Sequence, residues 1–245
     1  MNQLRLSCTL VYATVVVFLT SCGGGNKTNT TNDTAVTNST TPNTTPATNT
    51  VITTPQNMMI CIHKVADFAK WKSGYDTGDS MRLASQIHSH VIGRGVKDPN
   101  MVLVATRVDD IAKAKAFAKA PNLKMAMQQS GVTGTPTFSF VTITFQDTAV
   151  IATDLRSSTT FMVKDWNTWQ KAFEEGKQAR LDNGLTVRAY GHDVDDNHKV
   201  TLVVAITDSV KADAYWKSDA LKEKRKAAGV IGEPERFVFR IAQRY

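Results

Sequence analysis

An α+β fold of two βαββαβ repeats packed sheet to sheet is what this 245-residue sequence predicts, and three observations predict it. The chain matches itself without a gap at an offset of 98 positions, Val65–Phe145 falling on Val163–Gln243. Apolar residues in each copy recur at helical spacing behind an aspartate. The stretches between those helices are short, rich in β-branched residues and bounded by turn formers.

The elements follow in order. Met58–His63 is an apolar opening strand. Asp67 caps a helix whose Phe68, Trp71 and Tyr75 share one face, and the second copy repeats it with Asp165, Trp166, Trp169 and Phe173. Ile87–Gly93 and Met101–Arg107 form a strand pair turned at Lys97-Asp98-Pro99-Asn100. Asp110 caps a second helix carrying Ile111, Ala114 and Phe117, which breaks near Pro121 and stops at Gly131. Thr137–Phe145 closes the copy. Asp98, Asp110, Gly131, Gly134 and Pro136 return as Asp196, Asp208, Gly229, Gly232 and Pro234.

This order is the ferredoxin-like plan, one antiparallel sheet with both helices on one face. A copy of about 90 residues builds only a limited core and leaves its other sheet face wet. Two copies stacked face to face bury both faces, so a monomeric chain with an intrachain pseudo-dimer is expected. The chain divides into a signal peptide (1–21), a tether (22–56), a first repeat (57–147), a crossover (148–158) and a second repeat (159–245).

Hydrophobic residues at 42% and charged residues at 21% exclude a chain disordered throughout and a polytopic membrane protein. Three cysteines exclude a disulfide scaffold. The net charge of +7 is spread without a Lys/Arg block, so no nucleic-acid partner is expected.

At the N-terminus, Arg5 precedes an apolar run, Leu10–Leu19, too short to span a bilayer and of signal-peptide form. Leu19-Thr20-Ser21-Cys22 resembles a bacterial lipobox. The resemblance implies cleavage before Cys22 and acylation of it, making the membrane a partner through lipidated Cys22. By the same resemblance, Gly23 next to it, where an aspartate would retain the protein, implies an outer-membrane lipoprotein, and the lack of an acidic run after Cys22 implies that it faces the periplasm. From Gly23 to Pro55 the chain is Thr, Asn, Gly and Pro, with too little apolar surface to offset the entropy of ordering.

Strand alternation selects the candidate site. In Ile87-His88-Ser89-His90-Val91-Ile92, a period of two places His88, His90, Ile92 and Arg94 on one face. Their counterparts are Thr186, Arg188, Tyr190 and His192, opposite Leu185, Val187 and Ala189, which are assigned to the helix side. The polar row then points between the sheets. His88, His90, Arg188 and Tyr190 would line a pocket for an anionic or aromatic small molecule, with His63 at its mouth. The other reading is a polar interior satisfied by itself and by buried water. His88 or His90 is the candidate general base. A His-x-His pair can ligate a metal, but no third ligand is placed and Phe161 stands where His63 does, so no metal is expected. Arg82 and Arg180, seven residues past Tyr75 and Phe173, read either as anion clamps or as stems laid on the sheet. Cys61 reads as an inert buried thiol. No cofactor motif is recognised, and no cofactor is expected.

Both copies resemble the dimeric α+β barrel superfamily, which includes the antibiotic-biosynthesis-monooxygenase-like proteins, and especially its uncharacterised members. The carrying residues are His63-Lys64-Val65-x-Asp67-Phe68-x-x-Trp71-Lys72, Asp98-Pro99-Asn100, Asp110 with Ala114 and Phe117, Leu123, and Gly131-Val132-x-Gly134-x-Pro136. The resemblance implies a barrel over 57–245 and spans several functions, among them cofactor-free oxygenases, haem-degrading enzymes and isomerases. The expected protein is a lipid-anchored envelope module that binds a small ligand or supports a partner. The alternatives are an oxygenase or isomerase using His88 or His90, and a haem-handling protein.

Overall fold

The computed structural model describes residues 49–245, so the expected signal peptide, Cys22 and most of the expected tether lie outside the described residues. A two-residue strand β1 (Val51–Ile52) comes first. The first repeat runs β2 (Gln56–Val65), α1 (Phe68–Thr77), α2 (Asp79–Ala84), β3 (Ile87–Gly95), β4 (Met101–Val108), α3 (Ile111–Lys119), α4 (Pro121–Gln129) and β5 (Val132–Asp147). The second runs β6 (Leu155–Val163), α5 (Trp166–Glu175), α6 (Lys177–Asp182), β7 (Leu185–Asp193), β8 (Lys199–Ile206), α7 (Ser209–Lys217), α8 (Asp219–Ala227) and β9 (Val230–Arg244). β6 opens inside the stretch read as the crossover, which narrows to 148–154. Among the described residues no helix is long and apolar enough to cross a membrane.

The four expected caps are in place. Asp67, Asp110, Asp165 and Asp208 each accept a hydrogen bond from the backbone N–H three residues on, at 2.7–3.0 Å. Each cap satisfies one of the donors that a helix start leaves open, a contribution of about 1 kcal/mol. Gly131 and Gly229 stop α4 and α8 in the left-handed conformation, at φ +86° and +75°.

Within each repeat the strands lie β5-β2-β4-β3 and β9-β6-β8-β7, all neighbours antiparallel. The expected burial of both inner faces is met, with one addition. The two sheets are also joined edge to edge, β3 to β9 and β5 to β7. Eight strands therefore close into one barrel, and no repeat keeps an unpaired outer strand. Val51 and Ile52, expected in the tether, pair with the end of β5. At the two seams sit Gly93 and Gly191, 98 positions apart. A Cβ on Gly93 would run into the Phe239 ring, and one on Gly191 into the Thr142 carbonyl. The seams close only because these two residues have no side chain.

The barrel is filled. Met58, Ile60, Leu103, Val141, Ile143 and Phe239 pack together inside it, with Ala189, Phe237 and Ile241 against them. Each large apolar side chain so buried contributes about 1.5–3 kcal/mol. The outer face of the sheet carries the helix layers, anchored by Trp71 in one repeat and Trp169 in the other.

One expectation is corrected here. β3 carries a bulge between Ser89 and Val91, and β7 one between Val187 and Ala189. A bulge inserts one residue and reverses the facing of everything beyond it. Ile87 and Ser89 face the helices as expected, but so does Ile92, which alternation had put inside. Ala189 points into the barrel and Tyr190 out of it, the reverse of the expected assignment.

Candidate functional site

The expected interior set assembles only in part. Tyr190 and His63 lie on the helix side of the sheet. His90 and Arg188 both stand near Arg244, beside the buried Arg156, next to the apolar cluster that packs inside the barrel. His88 stands at the exposed rim, its Nε2 2.8 Å from Asp109 Oδ2. His90 is the bulged residue of β3, and its carbonyl accepts from the Tyr245 N–H at 3.1 Å. Burial, with Arg107 and Arg244 adding to it, pulls the His90 imidazole down to about 4. Arg188 is the bulged residue of β7, held by Asp147 at 3.3 Å and by the Ala149 carbonyl at 2.6 Å. Tyr190 lies under the helices, stacked on Phe145 at 5.0 Å, and its hydroxyl donates to Glu174. Burial, then this carboxylate, pushes it to about 12. His63 is buried against Trp71, 5.3 Å between rings, and not at any barrel mouth.

The open space lies instead between each sheet and its own helices. The first repeat has a cavity of about 80 Å³ touching Cys61, His63, Tyr75 and Arg82. The second has one of about 110 Å³ walled by Phe161, Trp169 and Trp216 and reached by Arg180, Arg225 and Arg236. Three residues of the expected set, His63, Arg82 and Arg180, thus line cavities, but in two separate places.

The paired arginines do the same local job. Arg82 donates to the Tyr75 carbonyl at 2.6 Å and lies over the Tyr75 ring at 3.7 Å. Arg180 donates to the Phe173 carbonyl at 2.5 Å and lies over the Phe173 ring at 3.7 Å. Each ties α1 to α2, or α5 to α6, by satisfying a carbonyl at a helix end. Their charges are balanced differently. Arg82 pairs with Asp79 at 3.0 Å, whereas the residue at the equivalent place beside Arg180 is Lys177.

The second cavity gathers further cations. Arg225 and Arg236 stand where the first repeat has Met127 and Phe138. Arg236 lies over the Trp216 ring at 4.0 Å. Burial lowers Arg225, and it brings Arg180 and Arg236 down to about 10. Among the described residues none of the three forms an ion pair, and the buried Nε atoms of Arg180 and Arg236, like that of Arg82 in the first repeat, have no hydrogen-bond partner. An unpaired buried cation is costly, and an anion entering the cavity removes that cost. No three His, Cys, Asp or Glu side chains converge on a metal position among the described residues.

No family model matches the chain, and no curated protein matches it. Solved structures do. A proposed monooxygenase of Lactobacillus acidophilus has a TM-score of 0.51 at 9% identity, over 78% of this chain and 95% of its own. A proposed monooxygenase of Fusobacterium nucleatum has 0.52 at 12%, over 77% and 93%. A proposed chlorite dismutase has 0.54 at 10%, over 77% and 96%. The fold is that of a dimeric α+β barrel, closed within one chain. At these identities the likeness is one of fold alone.

In this α+β barrel the residues that sequence reasoning passed over are Arg225, Arg236 and Trp216. Their signal was available in the offset of 98: positions where the copies differ in charge mark where their chemistry differs.

Burial alone holds the His63 imidazole down at about 4 from its ordinary 6.5. The unfolded chain therefore takes up that proton first as pH falls below 6.5, and the folded state loses stability until about pH 4. The loss tied to His63 is on the order of 2–3 kcal/mol at pH 4.5. His63→Phe, the residue its counterpart Phe161 already holds, should lose correspondingly less between pH 7.5 and 4.5 in urea unfolding. Equal losses in the two proteins would contradict the assignment.

Proposed function

We propose that this is a lipid-anchored envelope protein that binds a compact aromatic anion in the cavity of its second repeat. The observation that carries this is the convergence of Arg180, Arg225 and Arg236, unpaired and part-buried, on a space walled by Phe161, Trp169 and Trp216. The aromatic walls would take a flat ring, and the free Nε–H groups of Arg180 and Arg236 would donate to its anionic group. At about 110 Å³ the cavity is smaller than the roughly 300 Å³ of drug-sized sites and near the ~150 Å³ that accepts a single benzene ring. A hydrogen bond between charged groups contributes about 1.5–3 kcal/mol, so two of them would decide which rings stay.

The expected accessory role and the expected small ligand meet in this reading, but with Arg180 and not with His88, His90, Arg188 or Tyr190. The second reading is a cofactor-free oxygenase or isomerase, in keeping with neighbours described as monooxygenases. One observation favours it: His63, neutral and lining the first cavity, has no partner at Nε2. In that reading His63 is the base, since His88 and His90 touch neither cavity. A haem is too large for either cavity as the helices stand.

Trp169 and Trp216 make the second cavity its own reporter. Benzoate should change the tryptophan fluorescence of the full chain saturably. Arg236→Met should weaken that binding by about tenfold or more, the equivalent of 1.4 kcal/mol. Arg82→Met, in the other repeat, should leave it unchanged. Binding indifferent to Arg236 would overturn the reading.

The anchor has its own test. The wild-type chain expressed in a bacterium should stay with membranes through a high-salt wash, and Cys22→Ala should release it to the soluble fraction. Retention of the variant would contradict lipid attachment at Cys22.

A further inference from the structure

The cavity of the first repeat collects soft donor atoms. On β2 the residues facing the helices include Met59, Cys61 and His63, two apart along one face. Met81 of α2 and Met127 of α4 line the same space. One thiol, one imidazole and three thioethers therefore surround about 80 Å³.

Duplication does not account for this set. The counterparts in the second repeat are Ser157, Thr159, Phe161, Ala179 and Arg225, so every soft donor is replaced. The frame around them is kept: Trp71 and Trp169, Gly78 and Gly176, Arg82 and Arg180. The same helix layer closes over the second sheet without a single sulfur on these positions. Packing alone does not call for them.

The geometry is that of two ligands to one metal. Cys61 Sγ lies 3.4 Å from His63 Nδ1. With bonds of about 2.3 Å to sulfur and 2.0 Å to nitrogen, a tetrahedral angle sets the two donors about 3.5 Å apart. Both residues are buried, at 4% and 3% exposure, and the second ring nitrogen of His63 has no partner. In either ring tautomer Nδ1 and the sulfur face each other. We propose that Cys61 and His63, with thioether support from Met59, Met81 and Met127, form a binding site for a soft monovalent cation, Cu(I) above all.

Charge selects the ion. Binding would replace the Cys61 proton, and one thiolate with one monovalent cation leaves the cavity neutral. A divalent ion on the same thiolate would leave a net charge in an apolar space. Zinc would also need further borderline or hard ligands, and none converge here. Thiolate and thioether together prefer Cu(I). The cation that borders the cavity, Arg82, already has its counter-ion in Asp79. This site is separate from the aromatic-anion cavity, and the two readings stand or fall independently.

The test uses the full chain with Cys8→Ser and Cys22→Ser, which leaves Cys61 as its one thiol. Under anaerobic, reducing conditions it is titrated with Cu(I) held by a coloured Cu(I) chelator. The expected result is withdrawal of one equivalent from the chelator, with a new ultraviolet band from thiolate-to-copper charge transfer. Cys61→Thr and His63→Phe write in the residues of the second repeat, so the fold tolerates their kind; each should weaken binding at least a hundredfold. Met127→Leu, which keeps the volume, should weaken it about tenfold. Arg236→Met should leave it unchanged. No withdrawal of copper, tighter binding of Zn(II) than of Cu(I), or binding that survives Cys61→Thr would each overturn the site.

Discussion

The pairing of β3 with β9 and of β5 with β7 is the constraint on which the rest of this molecule depends. A single repeat would expose two strand edges and one apolar sheet face. Closing the barrel pairs the edges and brings Met58, Ile60 and Leu103 of one copy against Phe239 and its neighbours from the other. The fit is close enough that Gly93 and Gly191 admit nothing larger. Much of the barrel interior is thereby given to apolar packing.

Function is thereby moved outward. The space between sheet and helices exists twice, once per repeat, and the duplication let the two diverge. Trp71 and Trp169, and Arg82 and Arg180, keep the frame the same. Beyond that frame the first cavity carries sulfur and imidazole, and the second carries arginine and indole. The exchange of Asp79 for Lys177 shows how little is needed. One residue decides whether an otherwise identical arginine has a direct ion-pair partner on its own helix.

Much of the fold was legible because it was written twice. The offset of 98, the four capping aspartates and the helix-stopping glycines each have one local physical cause, and each is where the sequence put it. The site was less legible because a bulge leaves no trace in composition. His90 and Arg188 sit on the bulges themselves, so strict alternation failed at just the residues chosen by it. Two signals were present and unread. A strand glycine repeated at 93 and 191 marks a close backbone approach, and thereby the seams. Phe138 against Arg236, and Met127 against Arg225, mark the cavity that changed its charge.

Hydrogen–deuterium exchange across the seams tests the account at its root. The amides that donate across the seams, such as Val96 to the Val238 carbonyl and Val194 to the Phe140 carbonyl, should exchange as slowly as those between β2 and β4. Fast exchange at those amides, at the rate of an unpaired strand edge, would mean that the repeats are not joined into one barrel, and the argument that binding belongs to the outer cavities would lose its ground.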